Sequence, residues 1–215
     1  MMGTIAAYGS LSNPFQFTWK TDNAGASNNN QATLPFTISA SLSCLVRWGD
    51  VDNSTTVLNS ASSAGDLTHT YSDGAGTKTI LIYGSGTNGF AFNDGGDKLK
   101  ILEVTNVGNL DITESKTFKG CSNLTWTAVD APAITGNNLF ETFRGCSNFN
   151  GNINNWNTSS VTNMASMFMS SLSFNQPLNN WNVSSVTSMD AMFFDSSSFN
   201  QPLNNWNVGS VTNIS

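Results

Sequence analysis

Trp156, Trp181 and Trp206 recur at intervals of 25 residues, and the segments that follow them nearly coincide. Trp156 to Asn180 reads WNTSSVTNMASMFMSSLSFNQPLNN and Trp181 to Asn205 reads WNVSSVTSMDAMFFDSSSFNQPLNN. A third copy opens WNVGSVTNIS and runs to Ser215. Self-similarity at such a period is the mark of stacked coils, each of which buries its apolar face only against its neighbours. A weaker register runs back towards the N-terminus. Gly120-Cys121-Ser122-Asn123 precedes Gly145-Cys146-Ser147-Asn148 by one period, and Phe118, Phe143, Phe168 and Phe193 form a column, as do Leu99, Leu124, Phe149, Phe174 and Phe199. The repeat therefore spans 97–215, and its coil count exceeds the minimum of about three that stacked repeats need.

Within a coil the spacing predicts a short strand near Leu178 to Val183. Val186, Met189, Met192 and Phe193 fall three and four apart, as on one helical face. The columns Trp156, Trp181 and Trp206; Phe143, Phe168 and Phe193; Phe149, Phe174 and Phe199; and Met164 with Met189 are expected to stack into one continuous core. Asn and Ser positions fall at the bends, where their side chains can cap backbone groups.

These coils resemble the BspA-type leucine-rich repeats of bacterial surface proteins. The family signature is close to FNQPLNNWNVSSVTNMSSMF and matches Phe174 to Phe193 almost throughout. The resemblance implies a cell-surface or secreted protein that binds host or matrix components; similar repeats occur in phage structural proteins.

Upstream the pattern changes to short runs, FQFTW, LPFTIS, CLVRW, LTHTY and TKTILIY, between Gly, Asn, Ser and Asp clusters. That alternation predicts strands and a β-sandwich. Trp48-Gly49-Asp50, His69-Thr70-Tyr71 and Gly76-Thr77-Lys78-Thr79-Ile80 resemble the WGD, HTY and GTYTV motifs of polycystic-kidney-disease-type domains, which are immunoglobulin-like. Val51 stands where that family usually has Gly, so the turn there is expected to be built differently. The expected fold class is mainly β: an N-terminal arm at 1–14, a sandwich at 15–84, a Gly/Asn-rich connector at 85–96 and the leucine-rich-repeat solenoid at 97–215.

Only 10% of the residues are charged, against roughly 25% in an average soluble domain. A net charge of -6 and eight scattered Lys and Arg leave no basic stripe for a phosphate backbone, so nucleic acid is not an expected partner. The apolar runs are far shorter than the roughly 20 residues of a membrane-spanning helix, and the segment from Met1 to Phe15 does not read as a signal peptide.

The motifs with chemical potential are weak. Gly84-Ser85-Gly86-Thr87-Asn88-Gly89 satisfies GxGxxG after a strand, but Asn93-Asp94-Gly95-Gly96 breaks the helix a dinucleotide site would need, so no cofactor is expected. The single histidine, His69, is the one residue around which a Ser-His-Asp triad could be built, and its place in HTY favours a structural role. Asp50, Asp52, Asp94 and Asp97 are weak calcium candidates without the Gly and Glu of an EF-hand. Asp111 and Glu114 form an acidic pair of the kind glycosidases use, without sign of a sugar cleft. Cys121 and Cys146 occupy equivalent positions in adjacent coils, about 5 Å apart by strand stacking. Either a disulfide or a pair of free buried thiols fits that spacing.

The expected function is a non-enzymatic binding or adhesion module on a virion or bacterial surface, with carbohydrate or protein as ligand. The last coil, with Trp206, Val208, Val211 and Ile214, carries no polar cap, so self-association or a virion partner is expected there. The alternatives are a purely structural virion decoration protein and, remotely, a glycan-active enzyme.

Overall fold

The computed structural model describes residues 13–37, 42–85 and 89–215 of the chain. The protein is mainly β, and among the described residues there is no α-helix; a 3-10 turn covers Ala64–Leu67. Among the described residues, eight strands form two open sheets: β1 Phe15–Lys20, β2 Gln31–Thr33, β3 Ser43–Arg47, β4 Thr55–Asn59, β5 Thr68–Thr70, β6 Thr77–Ser85, β7 Ile101–Asn106 and β8 Thr125–Trp126. The larger sheet runs β4-β3-β6-β1-β7-β8 and the smaller pairs β2 with β5. All pairs are antiparallel except β7 with β8.

Strict alternation produces β1: Phe15, Phe17 and Trp19 are buried while Gln16, Thr18 and Lys20 are partly exposed, as a period of two requires. Ile80 and Ile82 of β6 and Cys44 and Val46 of β3 continue that buried face. Trp48, just past β3, stacks on His69 of β5 with centroids 4.9 Å apart, tying the two sheets together. Gly49 has φ 69°, and a Cβ there would lie 2.2 Å from the Thr79 carbonyl oxygen, so the close approach admits only glycine.

One expected strand is absent and one unexpected strand forms. LPFTIS yields no strand among its described residues. Leu34 follows β2, Pro35 has no N–H for a ladder, and only Phe36 forms a bridge, to Phe90. The TTVLN segment, which carried no strand expectation, forms β4 along β3. β7, inside the repeat register, pairs with β1 from Gln16↔Asn106 to Trp19↔Ile101, so one sheet leads directly into the coils. Phe90 and Phe92 of the connector are buried in the same core.

From Phe118 onward the coils stack at 25-residue spacing through parallel bridges, Asn138↔Asn163↔Ser188↔Asn213. Phe143 and Phe168 lie 5.8 Å apart and nearly parallel, Phe168 and Phe193 5.5 Å, and Phe149 and Phe174 5.6 Å. Neither the expected strand at Leu178 to Val183 nor the helical turn after Val186 forms; both stretches are turns and irregular backbone. The reason lies in the dihedrals. Lys116, Glu141, Ser166 and Ala191 have φ of 66°, 57°, 53° and 50°. Four residues later Gly120, Gly145, Ser170 and Asp195 are left-handed as well. Two left-handed residues per coil stop a right-handed helix before it propagates. The N–H groups instead alternate: Ser166, Phe168 and Ser170 donate to Asp190, Met192 and Phe194 of the next coil, while Met167 and Met169 donate three residues back. The 3-4 spacing of apolar residues is thus met by a run of turns facing inward.

Candidate functional site

Three places hold the polar chemistry. The first is around Asp50. Its Oδ1 accepts from the Ser54 amide at 2.7 Å, its Oδ2 accepts from the Ser54 hydroxyl, and His69 Nε2 lies 2.9 Å from Oδ2. Ser54, His69 and Asp50 do meet, but not as a nucleophilic triad. Ser54 Oγ lies 3.3 Å from His69 Nε2, but the same Nε2 faces Asp50 and the serine hydroxyl shares that carboxylate oxygen, whereas a triad sets serine and aspartate on opposite ring nitrogens. His69 is also clamped between Trp48 and the edge of Tyr71, whose hydroxyl donates to the Trp48 carbonyl at 3.0 Å. The cluster closes the turn in which Val51 is exposed and Asn53 has φ 52°.

Burial pushes the Asp50 carboxyl up, but the hydrogen bonds from Ser54 and His69 outweigh it and hold the group below its usual 3.8. A carboxyl depressed on folding contributes stability that is complete above the unfolded value and lost as the pH falls through the folded one. Asp50→Asn should therefore flatten the loss of stability below pH 3.8, measured by urea melts across the acid range. A variant with the wild-type acid slope would contradict the assignment.

The second place is Asp97, fully buried with Lys100. Asp97 accepts from the Ser27 amide at 2.8 Å and the Thr33 amide at 3.0 Å. Lys100 Nζ donates to the carbonyls of Ser27, Asn28 and Gln31 and to the Ser27 hydroxyl. Of the other calcium candidates, Asp52 accepts from Ser72 and Asp94 pairs with Lys98. The structure brings none of the four together, and among the described residues no three of His, Cys, Asp and Glu converge on a metal position. Asp111 accepts from the hydroxyl and amide of Thr135, 24 residues on, and the Glu114 backbone carbonyl accepts from the Thr117 hydroxyl. The middle of the GxGxxG segment, residues 86–88, lies outside the described residues. Gly84 closes β6 against Ser43, where a Cβ would lie 2.3 Å from a carbonyl oxygen.

The third place is the face of the coils. Asn150 Oδ1 accepts from the amide of Asn175 and from Gln176 Nε2, and one coil on Asn175 Oδ1 accepts from Asn200 and Gln201 in the same way. Asn157, Asn182 and Asn207 each cap the amide two residues on. The result is a ladder of uncharged amides and hydroxyls on a backbone pinned coil to coil. Residues 112–215 match the family described as Mycoplasma protein of unknown function, DUF285. No curated protein and no solved structure matches the chain. The matched stretch is the stack that carries this ladder.

Trp156, Trp181, Phe143, Phe168, Phe149, Phe174, Met164 and Met189 are buried, and Phe193, Phe199 and Trp206 are partly buried against them near the last coil. Cys121 and Cys146 are both free and buried, and burial pushes both thiols up. Their column continues as Ser171 and Ser196. Cys146 Sγ donates to the Phe118 carbonyl 28 residues earlier, as Ser171 donates to Phe143 and Ser196 to Phe168. Cys146→Ser should accordingly fold with near-native stability, while Cys146→Ala, which leaves the Phe118 carbonyl with the Cys121 amide as its remaining donor, should cost about 0.5–1.5 kcal/mol in a denaturant melt.

Two cavities flank the face. The last coil holds an apolar hollow of about 520 Å³ floored by Met189, Met192, Phe193 and Trp206. A second, of about 360 Å³, opens between Trp126 to Val129 and the asparagines of the next two coils. Sequence reasoning missed the second, although Trp126 standing where later coils have Gln176 and Gln201 was a readable signal. No helix among the described residues is long and apolar enough to cross a membrane.

Proposed function

We propose that this protein is a non-enzymatic binding module displayed on a virion or bacterial surface. In this reading the first half is an immunoglobulin-like sandwich of the polycystic-kidney-disease type and the second a BspA-type leucine-rich-repeat solenoid with 25-residue coils. The observation that carries it is the unbroken ladder from Asn150 through Asn175 to Asn200, side chains that both donate and accept on a rigid repeat. Such a face suits neutral polar ligands: carbohydrate, or the backbone groups of another protein. Because it holds few charges, binding should change little with salt.

The test is retention of the intact chain on immobilised neutral polysaccharides and surface glycoproteins, at low and at high salt. Retention by at least one of them, largely independent of salt, supports the reading; retention by none, or retention that salt abolishes, overturns it.

A further inference from the structure

We propose that the cavity between Trp126 and the asparagines of the next two coils binds one residue of a neutral saccharide, an inference that rests on the surface-binding reading above. Its volume of about 360 Å³ lies within the roughly 300–1,000 Å³ of small-molecule sites.

The cavity exists because the repeat is broken there. Residues 128, 153, 178 and 203 form one column, Ala, Ile, Leu and Leu, and the small Ala128 leaves open the space that larger side chains fill later. Beside it, Gly151 lies over Trp126. A Cβ at residue 151 would fall 2.4 Å from the Trp126 Cβ and 2.6 Å from its Cγ, so only glycine lets the indole take this place. Trp181 and Trp206 donate their Nε1 to the carbonyls of Ile153 and Leu178, each 28 residues earlier. For Trp156 the equivalent carbonyl belongs to Ala128, and that bond is not made: Trp126 Nε1 and Trp156 Nε1 are buried without a hydrogen-bond partner. Buried orphan donors are rare enough to mark a place whose polar complement is incomplete.

Around that floor the amides are held in place with part of their capacity unused. Asn155 Nδ2 donates to the Val129 carbonyl at 2.9 Å, Asn154 Oδ1 accepts from the Asn180 amide at 2.9 Å, and Asn152 Oδ1 accepts from the Asn154 amide at 3.1 Å. Asn155 Oδ1, Asn154 Nδ2, Asn152 Nδ2 and the whole Asn180 carboxamide remain for a ligand. A carboxamide donates and accepts, as a sugar hydroxyl does. None of the residues lining the cavity is charged, so an anion would find no cation to neutralise it. Glu103, which accepts from Thr127 Oγ1 at 2.7 Å, adds one carboxylate acceptor at the edge. Val129, 90% exposed, offers apolar surface to the C–H face of a sugar ring. Four amides around one small cavity exceed what a single peptide unit can use, whereas one hexose presents several hydroxyls.

The intact chain is titrated with glucose, galactose, mannose, N-acetylglucosamine and lactose while indole and side-chain amide signals are followed by proton–nitrogen correlation spectra. At least one sugar should shift the Trp126 indole and the Asn180 amide, with the millimolar affinity usual for so small a polar ligand. Ala128→Leu restores the usual side chain of the column. It should weaken binding about tenfold or more while leaving the melting temperature unchanged or higher. Asn180→Ala, at an exposed position, should weaken binding without affecting folding. Shifts from no sugar, or shifts indifferent to both variants, overturn the proposal. Retention of the chain on surface proteins alongside such a result would leave the surface-binding reading standing; loss of both would remove both.

Discussion

Phe168→Ala should lower stability by about 3–5 kcal/mol, a large part of the roughly 5–15 kcal/mol that holds a typical domain folded. Phe168 is fully buried. Its ring stacks on Phe143 at 5.8 Å, on Phe193 at 5.5 Å and, within its own coil, on Phe174 at 4.1 Å. Trp181 stacks on it at 6.2 Å as well, so removing the ring opens a cavity against four aromatic neighbours in a core packed too closely to collapse freely. In a chain of this length the melting temperature should fall by on the order of 10 °C. Phe199→Ala is the comparison. That ring is only partly buried and meets Phe174 and Phe193 on one side of the stack. Coils interact only with nearest neighbours, so its effect should be distinctly smaller in thermal melts by near-ultraviolet circular dichroism. Equal effects at both positions would mean that the coils do not stack as described.

Lys100→Ala should cost a similar amount, about 3–5 kcal/mol, for a different reason. The ammonium is wholly buried and shares its three protons among four oxygens, those of Ser27, Asn28 and Gln31, at 2.8 to 3.2 Å. Asp97 Oδ2 stands 3.8 Å away with its side chain also fully buried. Burial pulls the Lys100 ammonium below its usual value while Asp97 opposes that change. Truncating the lysine leaves a buried carboxylate without its cation and takes one donor from each of three carbonyls, which costs far more than the intact pair contributes. Lys20, which pairs with Asp22 where both side chains are exposed, should tolerate alanine with little change. Chemical denaturation of the two variants separates these cases; equal effects would contradict the buried cluster.

Periodicity made the stack legible, because a column needs the same residue type every coil and an aromatic column cannot hide. Strict alternation did the same for β1. What stayed illegible had physical causes. The turns of each coil rest on left-handed backbone at Lys116, Glu141, Ser166 and Ala191, residue types that do not announce such a conformation. Spacings of three and four therefore read as helix. Only tertiary contact with the loop at Ser27 shows that Lys100 is an interior cation. The cysteine pair drew attention to redox chemistry, yet the serines that follow in the same column explain it as one more hydroxyl-like donor. The saccharide cavity was readable in principle from Trp126, Ala128 and Gly151, each out of keeping with its column, but whether such departures open a space depends on packing.

Fractionation tests the account most directly. Purified virions and cell envelopes are separated from soluble contents, and each is probed, intact, with an antibody raised against the N-terminal half. A displayed binding module predicts antibody-accessible signal on the virion or envelope surface. Signal confined to the soluble contents would contradict it.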